Sequence, residues 1–437
     1  MSKMNRRNFL KTSGGAAAAA GVTLAAPNLA NAGSHGGKHG KVVIVGGGVA
    51  GATTARYIKL GNAEIDVTVI EPKASYHTCF MSNEVLGGDR PLSGIEQSFD
   101  GLVAMGIKVV KDSVSGIDAA KKTVMTAGGS KFGYDHCVVA PGIDFKVDEF
   151  ASVGDFSKIT HAWKAGQQTA ILRSQLEAMP DGGTVCIVPP TNPFRCPPGP
   201  YERTSLIAGY LKHHKPKSKI VVIDRKDKFS KMGLFTQAWK DLYGYGTDNS
   251  MIEWRSGAST GGIDGISAAD MTVETLSGGK EKFDVINYIP PQKAGTVASA
   301  AGLTNAKGWC DVTLNTFESK VHKGIYVLGD AAVASPLPKS GYAANSQGKV
   351  CAAAIVSMLA GQAVRHPSYV NTCYSIAGED YGFSVAMVYG YDTAEGKITK
   401  IKGSGGLTPG DATAEMRRRE VEFAYSWYNN ICKDTWG

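Results

Sequence analysis

No two of the eight cysteines stand at a CxxC, CxxCH or zinc-ligand spacing; they fall at 79, 137, 186, 196, 310, 351, 373 and 432. This excludes an attached c-type haem, the usual iron–sulfur ligand sets and a structural zinc in this chain. Beyond the first thirty-odd residues no apolar run approaches the roughly 20 residues that a membrane-spanning helix needs. No basic stretch is interleaved with aromatics, and Lys3, Arg6, Arg7 and Lys11 of the first 32 residues supply part of the formal +8. Nothing therefore points to nucleic acid. That same segment has no acidic residue. It holds Asn5-Arg-Arg-Asn-Phe-Leu-Lys11, an Ala-rich stretch from Gly14 to Ala26 and the small residues Ala30-Asn31-Ala32. In this order they read as a twin-arginine export signal spanning 1–32, which implies a periplasmic protein carried across already folded. Disulfides are permitted there. With 43% hydrophobic and 20% charged residues, the rest of the chain is ordinary globular material for two or three domains.

One dinucleotide signature is present and its usual second copy is missing. Lys41–Val45 is a short apolar run, as in a buried parallel strand, and Gly46-Gly-Gly48-Val-Ala50-Gly51 follows it and opens a helical pattern. A second strand, 65–70, ends at Glu71. Gly46 permits the tight turn, Gly48 lets backbone approach a pyrophosphate, and Gly51 allows close helix–strand packing. The helix start at Ala50 offers free N–H groups, and Glu71 can accept from ribose hydroxyls. Gly324-Ile-Tyr-Val-Leu-Gly329-Asp330 resembles the second flavin fingerprint of the glutathione-reductase-like superfamily, which implies FAD, with Asp330 on the ribityl chain; the alternative is that this acid caps the helix that follows instead. Tyr134–Gly142 resembles that superfamily's intermediate motif, a strand ending in Ala140 and Gly142. A second βαβ-like unit starts at Thr184–Val188, but Pro189 to Pro200 replace the phosphate-binding loop. Proline has no N–H to give a phosphate, so productive NAD(P)H binding is not expected.

The cysteines divide by context. Cys137 and Cys186 lie in Val/Ile-rich runs and read as inert core thiols. Cys79, soon after Glu71, reads equally as a core thiol or as a thiolate able to bond a flavin. Cys196 stands at the tip of the Pro-rich turn and Cys373 far along the chain. By spacing alone they are unrelated, a structural bridge or a redox pair.

Several long strings around these residues carry a more specific resemblance. Tyr76–Asn83, Phe194–Glu202, Pro338–Tyr342, Asn345–Gly348, Asn371–Ser375 and Tyr425–Asn430 resemble the flavoprotein subunit of flavocytochrome c sulfide dehydrogenase, over 41–437. The resemblance implies FAD bound through an 8α-S-cysteinyl link at Cys79, with Cys196 and Cys373 as a redox-active disulfide beside it. Glu202 would be a proton acceptor near the pair. Tyr342 and Trp427 would lie at the flavin, Trp427 toward a c-type cytochrome subunit. The implied activity is a sulfide:cytochrome c oxidoreductase, in which hydrosulfide opens the disulfide and the sulfur leaves as persulfide or polysulfide. The rivals are a sulfide:quinone oxidoreductase, which would show an amphipathic C-terminal helix pair, and a non-catalytic flavin-bearing subunit.

The expected architecture is α/β: two Rossmann-like domains, the second (146–289) inserted into the first (41–145 with 290–355), and a C-terminal α+β interface domain (356–437). Arg417-Arg418-Arg419 reads as a solvated helix face.

Overall fold

The computed structural model describes residues 39–146, 153 and 156–437; the export signal lies outside them. In chain order the elements that matter are β1 (Lys41–Val45), α1 (Val49–Gly61), β2 (Asp66–Ile70), α2 (Ser82–Gly87), β3 (Lys108–Val110), β4 (His136–Val139), α3 (Gln167–Ala178), β5 (Thr184–Val188), α4 (Gly199–His214), β6 (Lys219–Ile223), α5 (Met232–Tyr243), β7 (Ile252–Arg255), β8 (Val285–Tyr288), β9 (Ile325–Val327), α6 (Gly341–Leu359), β10 (Ser368–Gly378), β11 (Tyr381–Asp392) and α7 (Ala414–Trp436).

Two parallel sheets organise the chain. The first has the order β9-β4-β1-β2-β3 and the second β7-β6-β5-β8. Their strands are apolar almost throughout because both faces are covered: Val42 to Val45, Val185 to Val188 and Ile220 to Ile223 are all buried. β9 pairs with β4 only after the chain has built the whole second sheet, so the second unit is an excursion from the first. α6 crosses α1 closely enough that a Cβ at Gly348 would stand 2.9 Å from the Ala50 carbonyl oxygen. The helix runs unbroken to Leu359, past the expected division at 355/356.

The third layer is the long antiparallel hairpin β10–β11, backed by α7. α7 carries the tail as one 23-residue helix. Its buried face reads Arg417, Glu420, Val421, Ala424, Tyr428, Ile431, Cys432 and Trp436, a helical stripe that begins with two charges. Arg417 is not part of a solvated run. It lies over the Tyr381 ring and donates to the carbonyls of Pro409 and Gly410, while Arg418 and Arg419 stay outside and pair with Glu415. Among the described residues no helix is long and apolar enough to cross a membrane.

Candidate active site

The dinucleotide loop is built as its glycines require. Gly46 has φ +101°, and a Cβ there would stand 2.5 Å from the Ala140 carbonyl oxygen. A Cβ on Gly51 would overlap the Gly46 carbonyl. Gly48 has ordinary dihedrals, so its role is close approach; a Cβ would press on the Tyr76 ring at 3.2 Å. Glu71 accepts from the amides of Gly47 (2.9 Å) and Lys73 (3.1 Å). The Gly47 carbonyl in turn accepts from the Trp436 indole (3.1 Å), and that ring stacks on Tyr76 at 5.0 Å. The last turn of α7 thus holds the loop from behind.

In front of the loop lies a cleft of about 520 Å³. Gly46, Gly48, Ala50, Glu71, Cys79, Ala140, Gly142, Gly329 and Asp330 all line it; Gly51 is beneath it as a packing residue. Asp330 supplies a test of fit for the flavin. Its Oδ1 is buried without a hydrogen-bond partner, and burial pushes its carboxyl up against the opposing charges of Arg195 and Lys339. A free buried acceptor in a cleft headed by a helix start suits a polyhydroxylated dinucleotide cofactor. Arg195 also leaves its buried Nε free while Nη2 donates to the Trp163 carbonyl.

A smaller cavity of about 90 Å³ adjoins the cleft, with Cys79, Phe80, Arg195 and Gly341 lining both. Cys196 and Cys373 face into it, together with Glu202, Tyr342 and Trp427. The fold therefore brings the two distant cysteines to one place. Neither sulfur is bonded to another cysteine here. Cys196 sits at φ +53° on the turn before α4, anchored by its amide to the Lys339 carbonyl (2.8 Å) and by its carbonyl to the Gly199 amide (2.8 Å). Burial pushes its thiol up, with Cys373 and Glu202 adding to the effect. Cys373 lies on β10 opposite Val385, with the Asn371 amide 3.5 Å from its sulfur. Glu202 accepts from the Ile376 amide (3.0 Å) and Asn83 Nδ2 (2.8 Å), and burial raises its carboxyl. Trp427 stands parallel to Tyr342 at 6.1 Å and close to Phe80 at 5.2 Å, on the helix that exposes Phe423 and Tyr425. Cys137 and Cys186 are fully buried and line neither cavity.

Sequence reading missed two buried cations, Arg203 in the lining of this cavity and Lys231 bonded to the Cys373 carbonyl. Arg203 donates to Asn83, Asn287 and the carbonyls of His161 and Ala162, all uncharged; burial and Arg195 pull it down to about 9. Lys231, in a left-handed conformation ahead of α5, donates to the Cys373 carbonyl and to Ser375 Oγ, both at 2.8 Å. Arg203, the single cation of α4 before Lys212, was a usable signal for the first. The second has no local signal.

At the carboxyl end of the second sheet the chain fills its own crevice. Asp224, where a ribose-binding acid would stand, is fully buried and accepts from Tyr201 Oη (2.5 Å) and Lys226 Nζ (2.6 Å). Tyr201 stacks on Phe229 at 3.7 Å.

Residues 169–290 match the family model described as "Sulfide dehydrogenase (flavocytochrome c) flavoprotein chain, central", and 365–436 match "Flavocytochrome c sulphide dehydrogenase, flavin-binding". A 45-residue segment is 49% identical to the sulfide dehydrogenase flavoprotein chain of Chlorobaculum thiosulfatiphilum, covering 10% of this chain and 94% of that sequence. The chain belongs to the flavocytochrome c sulfide dehydrogenase flavoprotein family. Residues 40–174 match the pyridine nucleotide-disulphide oxidoreductase family. The chain is also similar to the mitochondrial sulfide:quinone oxidoreductase of Dictyostelium discoideum, 23% identical over 376 residues and 81% of each chain. The sulfide:quinone oxidoreductase structure from Aquifex aeolicus superposes with a TM-score of 0.68 at 18% identity, covering 91% of this chain and 92% of that one, which shows the shared fold. As a member of this family the protein is a sulfide-oxidising flavoprotein oxidoreductase. Its residues 3–23 match the twin-arginine signal, which sends it to the periplasm.

Proposed function

We propose that this chain is the flavoprotein of a periplasmic sulfide dehydrogenase that delivers electrons to a c-type cytochrome subunit. The observation that carries the reading is the meeting of Cys196 and Cys373 in one small cavity that borders the dinucleotide cleft along Cys79, Phe80, Arg195 and Gly341. In the oxidised protein the two sulfurs form a disulfide. Hydrosulfide, a soft nucleophile, attacks one of them and leaves a cysteine persulfide and a free thiolate. Glu202 holds the proton balance of the pair, and the largely apolar cavity keeps bulk water from the exposed sulfur. The first-turn amides at Ala50 would hold the cofactor's pyrophosphate, Glu71 its ribose, Asp330 its ribityl hydroxyls, and Cys79 its ring by a covalent link. When bound, the flavin supplies acceptance of an electron pair and its return one electron at a time.

The acceptor is where this reading is tested. Trp427, within an aromatic cluster on a helix whose outer face carries exposed Phe423 and Tyr425, supports a protein partner docking there. The similarity to sulfide:quinone oxidoreductases favours quinone as the second reading. Sulfide-reduced protein should be reoxidised by cytochrome c and not by a short-chain quinone; the reverse result selects the quinone reading. NADH should not bleach the flavin, because Tyr201, Phe229 and Lys226 occupy the crevice that a nicotinamide dinucleotide would enter. Rapid bleaching by NADH would refute that.

A second expectation concerns Cys79. Unfolding in denaturant followed by gel filtration should leave the flavin on the polypeptide, and Cys79→Ala should release it. Free flavin from the unmodified protein would contradict the covalent link.

A further inference from the structure

Trp163 is 4% exposed, and its indole Nε1 is buried without a hydrogen-bond partner. A buried indole N–H ordinarily finds an acceptor, so this unmet donor marks a place for a ligand. The residue lines the cysteine cavity. A Cβ on Gly199 would stand 2.7 Å from Trp163 Cη2 and 3.0 Å from Cys196 Sγ, so the indole edge and the sulfur close on one point from two sides. Nε1 belongs to that same edge of the indole. The main chain of Trp163 is held in place. Its amide donates to His161 Nδ1 (2.9 Å), and its carbonyl accepts from Arg195 Nη2 and lies 3.6 Å from Cys79 Sγ. The surroundings favour negative charge. The Arg203 and Arg195 guanidinium carbons lie 4.9 and 5.7 Å from the Trp163 ring centre, and both residues line the cavity. The side-chain hydrogen bonds of both go to carbonyl and amide oxygens, none to a carboxylate. Of the nearest carboxyls, Glu202 is bonded to Asn83 and the Ile376 amide, and Asp330 faces Arg195 from the dinucleotide cleft. A guanidinium over the indole face draws density from the ring and makes its N–H the stronger donor to an anion.

We propose that the indole N–H of Trp163 is the anchor for the substrate anion: hydrosulfide docks on it inside the cysteine cavity before it meets the disulfide. The proposal rests on the disulfide-exchange reading above and names the group that receives the substrate. Docking makes and breaks no covalent bond and moves no proton. Hydrosulfide stays an anion and accepts the indole hydrogen in the field of the Arg203 and Arg195 charges. With a single heavy atom it fits a cavity of about 90 Å³, which a tripeptide-sized thiol cannot enter whole. The site thus selects a small soft anion over neutral hydrogen sulfide and over bulky organic thiols.

Bromide is the probe, because it is a monatomic anion close to hydrosulfide in size and inert toward a disulfide. Crystals of the flavin-loaded protein soaked in bromide should show an anomalous peak at hydrogen-bond distance from Trp163 Nε1. No peak there in the unmodified protein overturns the proposal without any variant. Trp163→Phe keeps a ring beside the guanidinium groups and loses the N–H. The peak should vanish in that variant; a peak that persists is an adventitious ion and counts against the site. In anaerobic stopped-flow reduction by sulfide, bromide should compete with the substrate. Trp163→Phe should raise both the sulfide concentration for half-saturation and the bromide inhibition constant by about tenfold or more, with the limiting rate changed by less than about threefold. A merely structural role would lower the limiting rate or the flavin content and leave half-saturation unmoved, and that result refutes the assignment. Failure of the disulfide reading itself would look different: a Cys196→Ser protein still reduced by sulfide, with bromide still seated on Trp163.

Discussion

Cys373→Ser and Cys196→Ser each abolish bleaching of the flavin by sulfide, slowing it at least about a thousandfold, or about 4 kcal/mol of barrier. The size follows from the chemistry. A serine hydroxyl forms no disulfide, so no sulfur–sulfur bond is left for hydrosulfide to attack, and an alkoxide is a far poorer leaving group than a thiolate. The two variants should be equally inactive, because the pair acts as one unit and losing either member removes the bond. Both should remain folded and carry flavin. Each residue keeps part of its surface exposed, and the exchange to serine is nearly isosteric, so stability should move by no more than about 1 kcal/mol. Anaerobic stopped-flow mixing with sulfide at the flavin absorbance is the measurement. Full-rate bleaching in either variant would remove the disulfide from the mechanism and leave the small cavity without a role.

Gly51→Ala is expected to yield protein without flavin, destabilised by about 2–5 kcal/mol. The added Cβ would overlap the Gly46 carbonyl oxygen and stand 3.1 Å from its carbon. Both partners are main chain, one in the phosphate-facing loop and the other in the first turn of α1, so no rotamer change relieves the contact. The helix start must move away from the strand end, and the amides at Ala50 move with it. Gly129→Ala is the control. Gly129 has a positive φ of +84°, but a Cβ there would meet nothing within 4 Å, so alanine costs about 1–2 kcal/mol of backbone strain and leaves the flavin in place. The ratio of flavin to protein absorbance and the urea midpoint measure both effects. A Gly51→Ala protein with stoichiometric flavin and an unchanged midpoint would show that the helix and strand do not need this close approach.

Local pattern carried much of the fold. β1, the glycine loop, β2 with Glu71 at its end, β5 and β6 were legible because strands buried on both faces must be apolar throughout, and the phosphate loop can be built only from glycine at its tight points. The starts of α4 and α6 lie earlier than local pattern suggests. Gly199-Pro200 and Gly341 look like loop residues, yet proline is at home in a first turn, and the Ser340 side chain caps α6 by accepting from the Ala343 amide. The buried face of α7 was hidden by its own composition. Arg417 and Glu420 stand on its buried stripe, and their charges are tolerated only because carbonyls and hydroxyls from 384 and 408–410 meet them there.

The sequence by itself determined that a dinucleotide cleft would form at 46–51, because steric demands between neighbouring residues admit few solutions. It also determined that no such loop follows β5, because proline has no donor. Only the tertiary structure decided that Cys196 and Cys373 share a cavity beside that cleft, that Tyr201 and Lys226 close the second crevice, and that Lys231 is buried next to Cys373. Those facts depend on contacts between elements far apart in the chain. Burial and proximity of that kind are properties of the packed whole, which no spacing along a single strand or helix contains.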